Sequence, residues 1–156
     1  MRKSRVQFAK PKCILYFRST LKQTVPRSML KPTTLANPSI LLVDDDQILL
    51  HVTKRILQHD GYKVTTATNG KEALDKIRNT QFDLVIVDVM MPHINGLEVL
   101  SQLKQQQNTR STPVIVLTGV SHSISEDVLK IGASACFKKP FEADTLREAV
   151  RQQLAK

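Results

Sequence analysis

A doubly wound α/β sheet of five parallel strands is the fold this sequence predicts, and three observations predict it. From residue 39 onward, apolar runs of strand length alternate five times with amphipathic stretches of helix length, the order in which strand and crossover helix follow one another in a parallel sheet. Two runs, Leu84-Val85-Ile86-Val87 and Val114-Ile115-Val116-Leu117, are unbroken Val, Ile and Leu, as strands covered on both faces require. Pro92, Pro113 and Pro140 fall between the stretches, and Gly61 and Gly132 follow two of the amphipathic ones, where a helix closes on a left-handed residue.

Taken in order, strands are expected over 40–43, 63–67, 84–87, 114–117 and 135–137, with helices over 47–59, 71–79, 97–107, 126–131 and 144–154. Asp46 stands ahead of the first helix as its N-cap. In the last helix Leu146, Ala149, Val150 and Leu154 recur at three- and four-residue spacing, while Arg147, Glu148, Arg151 and Gln152 take the other face.

Residues 1–38 read differently. They hold Arg2, Lys3, Arg5, Lys10, Lys12, Arg18, Lys22, Arg27 and Lys31 and no acid, which leaves 14 basic against 14 acidic residues in 39–156. The net charge of +9 therefore belongs to this segment, not to the domain. The segment carries four prolines and lacks periodicity, so it is expected to be a disordered basic extension, with a start at Met29 as the competing reading. Its apolar run 14–17 is too short for a signal-peptide core. No run in the chain has the length of a membrane span. With aromatics at 4% and no basic-faced helix in the domain, a nucleic-acid binder is not expected. Cys13 and Cys136 form neither a disulfide framework nor a metal pattern, which suits a reducing cytoplasm.

Ligands of open α/β sheets bind beyond the carboxyl ends of the strands. The first expected strand runs into Asp44-Asp45-Asp46, the third into Asp88, the fourth into Thr118, and the fifth into Lys138-Lys139-Pro140. Acids, a hydroxyl and an ammonium thus converge on one edge. Crowded carboxylates call for a cation, and oxygen donors without His or Cys suit Mg²⁺, which keeps waters and can accept a phosphate oxygen. Asp88 is the candidate nucleophile toward phosphorus, being single, central and followed by Val-Met-Met-Pro. Asp44 and Asp45 suit a metal pair, one ligating directly and one through water. Each residue also has an ordinary structural reading, Thr118 as a turn or cap residue and Lys138-Lys139 as a solvated pair. The ordered conjunction of all four strand ends favours chemistry.

Four segments carry a family resemblance: Ile-Leu-Leu-Val-Asp-Asp-Asp (40–46), Phe-Asp-Leu-Val-Ile-Val-Asp-Val-Met-Met-Pro (82–92), Thr-Pro-Val-Ile-Val-Leu-Thr-Gly (112–119) and Lys-Lys-Pro-Phe (138–141). Together they resemble the signature blocks of two-component response-regulator receiver domains, over all of 39–156 and none of 1–38. The resemblance implies a flavodoxin-like (βα)5 sheet with strand order 2-1-3-4-5. It implies a phosphorelay protein, not an enzyme acting on other substrates, in which Asp88 receives a phosphoryl group from a histidine kinase or histidine phosphotransfer protein. By the same resemblance Asp45, Asp88 and the Met90 backbone carbonyl bind Mg²⁺, with Asp44 assisting through water. Thr118 and Lys139 hold the phosphate, a cis peptide bond joins Lys139 to Pro140, and Asn95 and Gly96 shape the loop into the third helix. A single-domain regulator with an unspecified downstream protein target, cytoplasmic and off the membrane, is the expected whole.

One departure stands out: the family's rotating aromatic ring lies three residues before the lysine, where this sequence has Cys136, with Phe137 next to it. Alternation along the strand points the two side chains to opposite faces. Signalling is then expected to pass through Thr118 and the loop 119–123. Two alternatives compete, a degenerate receiver kept as an interaction module and a haloacid-dehalogenase-like phosphatase built on Asp44-x-Asp46. The first is opposed by the complete set of phosphorylation residues, the second by the absence of a later acid pair and a cap insertion.

Overall fold

The structure, a computed structural model, describes residues 37–119 and 123–155. The basic extension before residue 37 and the middle of the loop 119–123 therefore lie outside the described residues. Ten elements alternate along the chain: β1 (Ser39–Val43), α1 (Gln47–His59), β2 (Lys63–Ala67), α2 (Gly70–Asn79), β3 (Leu84–Asp88), α3 (Gly96–Gln105), β4 (Val114–Thr118), α4 (Ser123–Ile131), β5 (Ala135–Lys138) and α5 (Ala143–Leu154). All strand pairs are parallel and the sheet order is β2-β1-β3-β4-β5, the flavodoxin-like order that the resemblance implied.

Strand alternation divides the core in two. Leu41, Val43, Val85, Val87, Val114 and Val116 face α2, α3 and α4 through Ala73, Leu74, Val99, Leu100 and Val128. Ile40, Leu42, Ile86, Ile115 and Leu117 face α1 and α5 through Leu50, Leu57, Leu146 and Val150. The central strand is buried along its whole length, which accounts for its unbroken apolar sequence. Ile86 has no exposed surface, so Ile86→Ala should destabilise the fold by about 2–5 kcal/mol through lost burial and the cavity left behind. A urea unfolding curve measures it.

Local signals set the helix ends. The Asp46 carboxylate accepts from the N–H groups of Ile48 at 2.9 Å and Leu49 at 3.1 Å, satisfying donors that the first turn of α1 leaves free. Gly61 (φ 92°) and Gly132 (φ 117°) close α1 and α4 in the left-handed region.

Boundaries shift where non-local bonds intervene. α3 stops two residues short of its expected end, because Gln106 is already extended (φ −84°, ψ 131°). The following turn is held by Lys104 Nζ, which donates to the carbonyls of Arg110 (3.1 Å) and Thr112 (2.7 Å), and by the Thr109 hydroxyl, which donates to Leu103 O (2.8 Å). α4 begins three residues before the expected 126, at Ser123. β3, β4 and β5 each run one residue beyond the expected end. Ladder bonds extend that far, with Val89 N–H donating to Leu117 O at 2.9 Å and Lys139 N–H to Thr118 O at 2.8 Å.

Candidate functional site

Because the strands are parallel, their carboxyl ends share one edge, and two of the three extra strand residues, Asp88 and Thr118, are candidate site residues. Asp88 is the last residue of β3, in register with Leu117, and Thr118 is the last of β4, in register with Lys138. Asp44 follows β1 directly, and its N–H donates to Ala67 O of β2 at 3.1 Å. The sheet ladder itself therefore fixes the spacing of these groups.

Asp44, Asp88 and Thr118 are buried, at 1%, 3% and 0% exposure, whereas Asp45 faces solvent. One carboxylate oxygen from each of Asp44, Asp45 and Asp88 lies within 4.8 Å of the others. Lys139 Nζ stands between the two buried acids, 2.7 Å from Asp44 Oδ2 and 2.8 Å from Asp88 Oδ2. The second oxygen of each is also held. Asp44 Oδ1 accepts from Asp46 N–H at 2.9 Å, and Asp88 Oδ1 from Met90 N–H at 3.2 Å. The Lys139–Pro140 bond is cis.

Burial pushes the Asp44 carboxyl above the usual carboxylate range, an effect that its bonds with Lys139 and the Asp46 N–H reduce without cancelling. Burial alone would lower the Lys139 ammonium, but its hydrogen bonds and charge contacts with Asp44 and Asp88 carry it above its ordinary value. The ammonium is thus a fixed cation in a nest of acids.

The donor set fits a magnesium ion: three carboxylates converge, all hard oxygens, and opposite ligands of an ion with bonds of about 2.1 Å lie about 4.2 Å apart. Acceptance of such an ion brings a second cation to carboxylates that Lys139 already bridges. This gives a test in its absence. In chelator, Lys139→Ala should be less stable by about 3–5 kcal/mol, because two buried carboxylates lose their cation. The raised Asp44 value means that the fold binds this proton more tightly than the unfolded chain does. Its contribution favours folding in acid and is lost as pH rises through the folded value. Lys139 is among the groups that lower the Asp44 value, so its removal lets burial raise that value further. The deficit of Lys139→Ala should therefore be larger in neutral than in mildly acidic buffer, as urea titrations at the two conditions would show.

The structure brings together Asp44, Asp45, Asp88 and Lys139, with Thr118 at the neighbouring strand end. It sets Asp46 apart, since its carboxylate is committed to the α1 cap. The second acid of the Asp44-x-Asp46 pair thus serves the start of α1 and lies outside the Asp44, Asp45 and Asp88 cluster. Cys136 packs, half-buried, against the core facing α4, and Phe137 is buried in the core facing α1 and α5, so alternation does separate them. Sequence reasoning missed His93, which adopts a left-handed φ of 67° in the loop after β3. His is among the residues that tolerate this region, but nothing in the local sequence marks the position.

Comparison with known proteins gives one consistent picture. Residues 40–151 match the family model described as response regulator receiver domain. The response regulator ArlR of Staphylococcus aureus (strain Mu50 / ATCC 700699) is 38% identical over 113 residues, 72% of this chain and 50% of that protein. The chain thus spans about half the length of the curated relatives it matches. The receiver domain of the Francisella response regulator 1452 superposes with a TM-score of 0.72 at 33% identity, covering 76% of this chain and 98% of that one. The chemotaxis response regulator CheY4 of Vibrio cholerae does so with a TM-score of 0.71 at 32% identity, covering 76% and 100%.

Proposed function

Since the chain belongs to the response-regulator receiver-domain family, we propose that Asp88 accepts a phosphoryl group from a histidine kinase or histidine phosphotransfer protein and that the phosphorylated domain signals by binding another protein. The observation that carries this reading is the buried Asp88 carboxylate, bonded to Lys139 and gathered with Asp44 and Asp45 within 4.8 Å.

A carboxylate oxygen of Asp88 attacks phosphorus in line. The bond from phosphorus to the donor imidazole nitrogen breaks, its electron pair stays on that nitrogen, and an acyl phosphate results. Lys139, already at hydrogen-bond distance from the nucleophile, pairs with the incoming negative charge. The Met90 N–H holds Asp88 Oδ1 and fixes the plane of the carboxylate. Asp45, Asp88 and the Met90 carbonyl are the direct ligands we assign to Mg²⁺, with Asp44 acting through water. When bound, the ion supplies charge neutralisation and orients the phosphoryl oxygens. Thr118 is the hydroxyl that reaches the phosphate. With Cys136 in place of a ring, the change passes chiefly through Thr118 and the start of the β4–α4 loop. The protein catalyses only its own phosphorylation and dephosphorylation. Cytoplasmic placement follows from a kinase donor, and no helix among the described residues is long and apolar enough to cross a membrane.

Incubation with acetyl phosphate and Mg²⁺ tests the reading. The intact mass should rise by one phosphoryl group, and an unchanged mass under conditions that load a known receiver overturns it.

A further inference from the structure

Two helices of this fold open on the same four-residue pattern, Asn69-Gly70-Lys71-Glu72 at α2 and Asn95-Gly96-Leu97-Glu98 at α3. In each, the Asn carboxamide oxygen accepts from the Glu N–H, at 2.8 Å and 3.0 Å. The caps account for Asn, and an acid suits the first turn of a helix. They do not account for glycine, since neither Gly70 nor Gly96 has a left-handed φ and glycine weakens a helix wherever it stands inside one.

Close approach accounts for both. A Cβ on Gly96 would collide with the Asp88 carbonyl oxygen and lie 2.8 Å from Asp88 C and 2.9 Å from Val89 Cα. A Cβ on Gly70 would collide with the Ile94 carbonyl oxygen and lie 2.6 Å from Ile94 Cγ2 and 2.8 Å from Ile94 Cβ. The obstruction at Gly70 is partly backbone, so no rotamer change relieves it. Ile94 itself is half-buried against the core facing α2, which closes its other way of escape. The segment from Val89 to Gly96 is short and closed on itself, with Gly96 N–H donating to Val89 O at 3.1 Å. It contains the left-handed His93 and it carries Met90. Two bare helix starts therefore press on this loop, Gly96 at its root and Gly70 at its far side.

We propose that Gly70 is a positioning residue of the carboxylate site: through its direct contact with Ile94, α2 sets where the loop places Met90, and so sets the affinity of the site for a divalent cation. This rests on the assignment of Mg²⁺ to Asp45, Asp88 and Met90 made above. Gly70 touches neither the carboxylates nor the cation. Its effect is carried by contact with both the carbonyl and the side chain of Ile94, which any Cβ at position 70 would push apart.

Titration of Mg²⁺ into the metal-free full chain, followed by amide NMR shifts, tests it. Gly70→Ala should weaken Mg²⁺ binding about 10-fold, the range seen when a supporting contact around a metal site is lost, and should shift the amides of residues 90–96. Lys71→Ala, at an exposed neighbour, should leave the affinity as it was. Adding Ile94→Ala to Gly70→Ala removes the Cγ2 obstruction and should restore part of the affinity, which a general loss of packing would not do. Unchanged affinity in Gly70→Ala, or further loss in the double variant, overturns the proposal. If Gly70→Ala does not fold, Ile94→Ala alone decides: it introduces no collision, frees the loop, and should weaken Mg²⁺ binding to a smaller degree, so unchanged affinity there overturns the proposal too. Failure of the unaltered chain to bind Mg²⁺ would instead sink the site assignment on which this rests.

Discussion

A chain carrying Asp88→Asn should take up no phosphoryl group from acetyl phosphate and Mg²⁺, whereas the unaltered chain gains one. The amide keeps the shape of the side chain and can still accept from the Met90 N–H, but it is no nucleophile toward phosphorus. Fold loss is not the cause to expect. Asn removes one negative charge from a crowded acid cluster, which lowers repulsion among those that remain. Asp46→Asn is the matched control, since Asn caps a helix as well as Asp and the Asp46 carboxylate serves only the start of α1. Label that survives Asp88→Asn and depends on Asp44 would refute the assignment of the acceptor.

Asp45→Ala should separate metal binding from folding. Asp45 is the exposed member of the cluster, while Asp44 and Asp88 are buried and bridged by Lys139. Its loss should reduce Mg²⁺ affinity beyond the roughly 10- to 100-fold typical of an outer supporting group, because a direct ligand goes. Phosphorylation should fall with it. In chelator the variant should be no less stable than the parent, since an acid has been removed from among acids. Calorimetric Mg²⁺ titration and urea unfolding check the two halves. Undiminished Mg²⁺ affinity would remove Asp45 from the ligand set.

Much of this was legible in the residues because each signal had a single physical cause. β3 and β4 are covered on both faces, so their sequence is unbroken Val, Ile and Leu. α1 was bounded correctly by Asp46 on one side and Gly61 on the other. Features made by distant partners were not legible. The early end of α3 depends on Lys104 reaching carbonyls six and eight residues away, while Gln106 and Gln107 look like ordinary helix formers. The neighbours Asp44 and Asp45 read alike as a pair, yet one is buried and the other exposed: Asp44 is still tied to β2 through its N–H and bonds Lys139, 95 residues on, while Asp45 faces solvent. The reason for Gly70 is equally remote, for it lies in the carbonyl of Ile94 and not in its own turn.

The hollow of about 600 Å³ lined by Pro38, Asp83, Ser111, Pro113, Ser134, Gln153 and Leu154 marks the opposite edge of the sheet. Both ends of the described fold, Pro38 before β1 and Leu154 closing α5, meet there. A five-residue strand at about 3.3 Å per residue sets them roughly 15 Å from the acids. A fluorophore or affinity tag attached beside Pro38 or Leu154 is therefore tethered from behind. A label placed there sits at the back of the described fold, at the edge opposite the carboxylates.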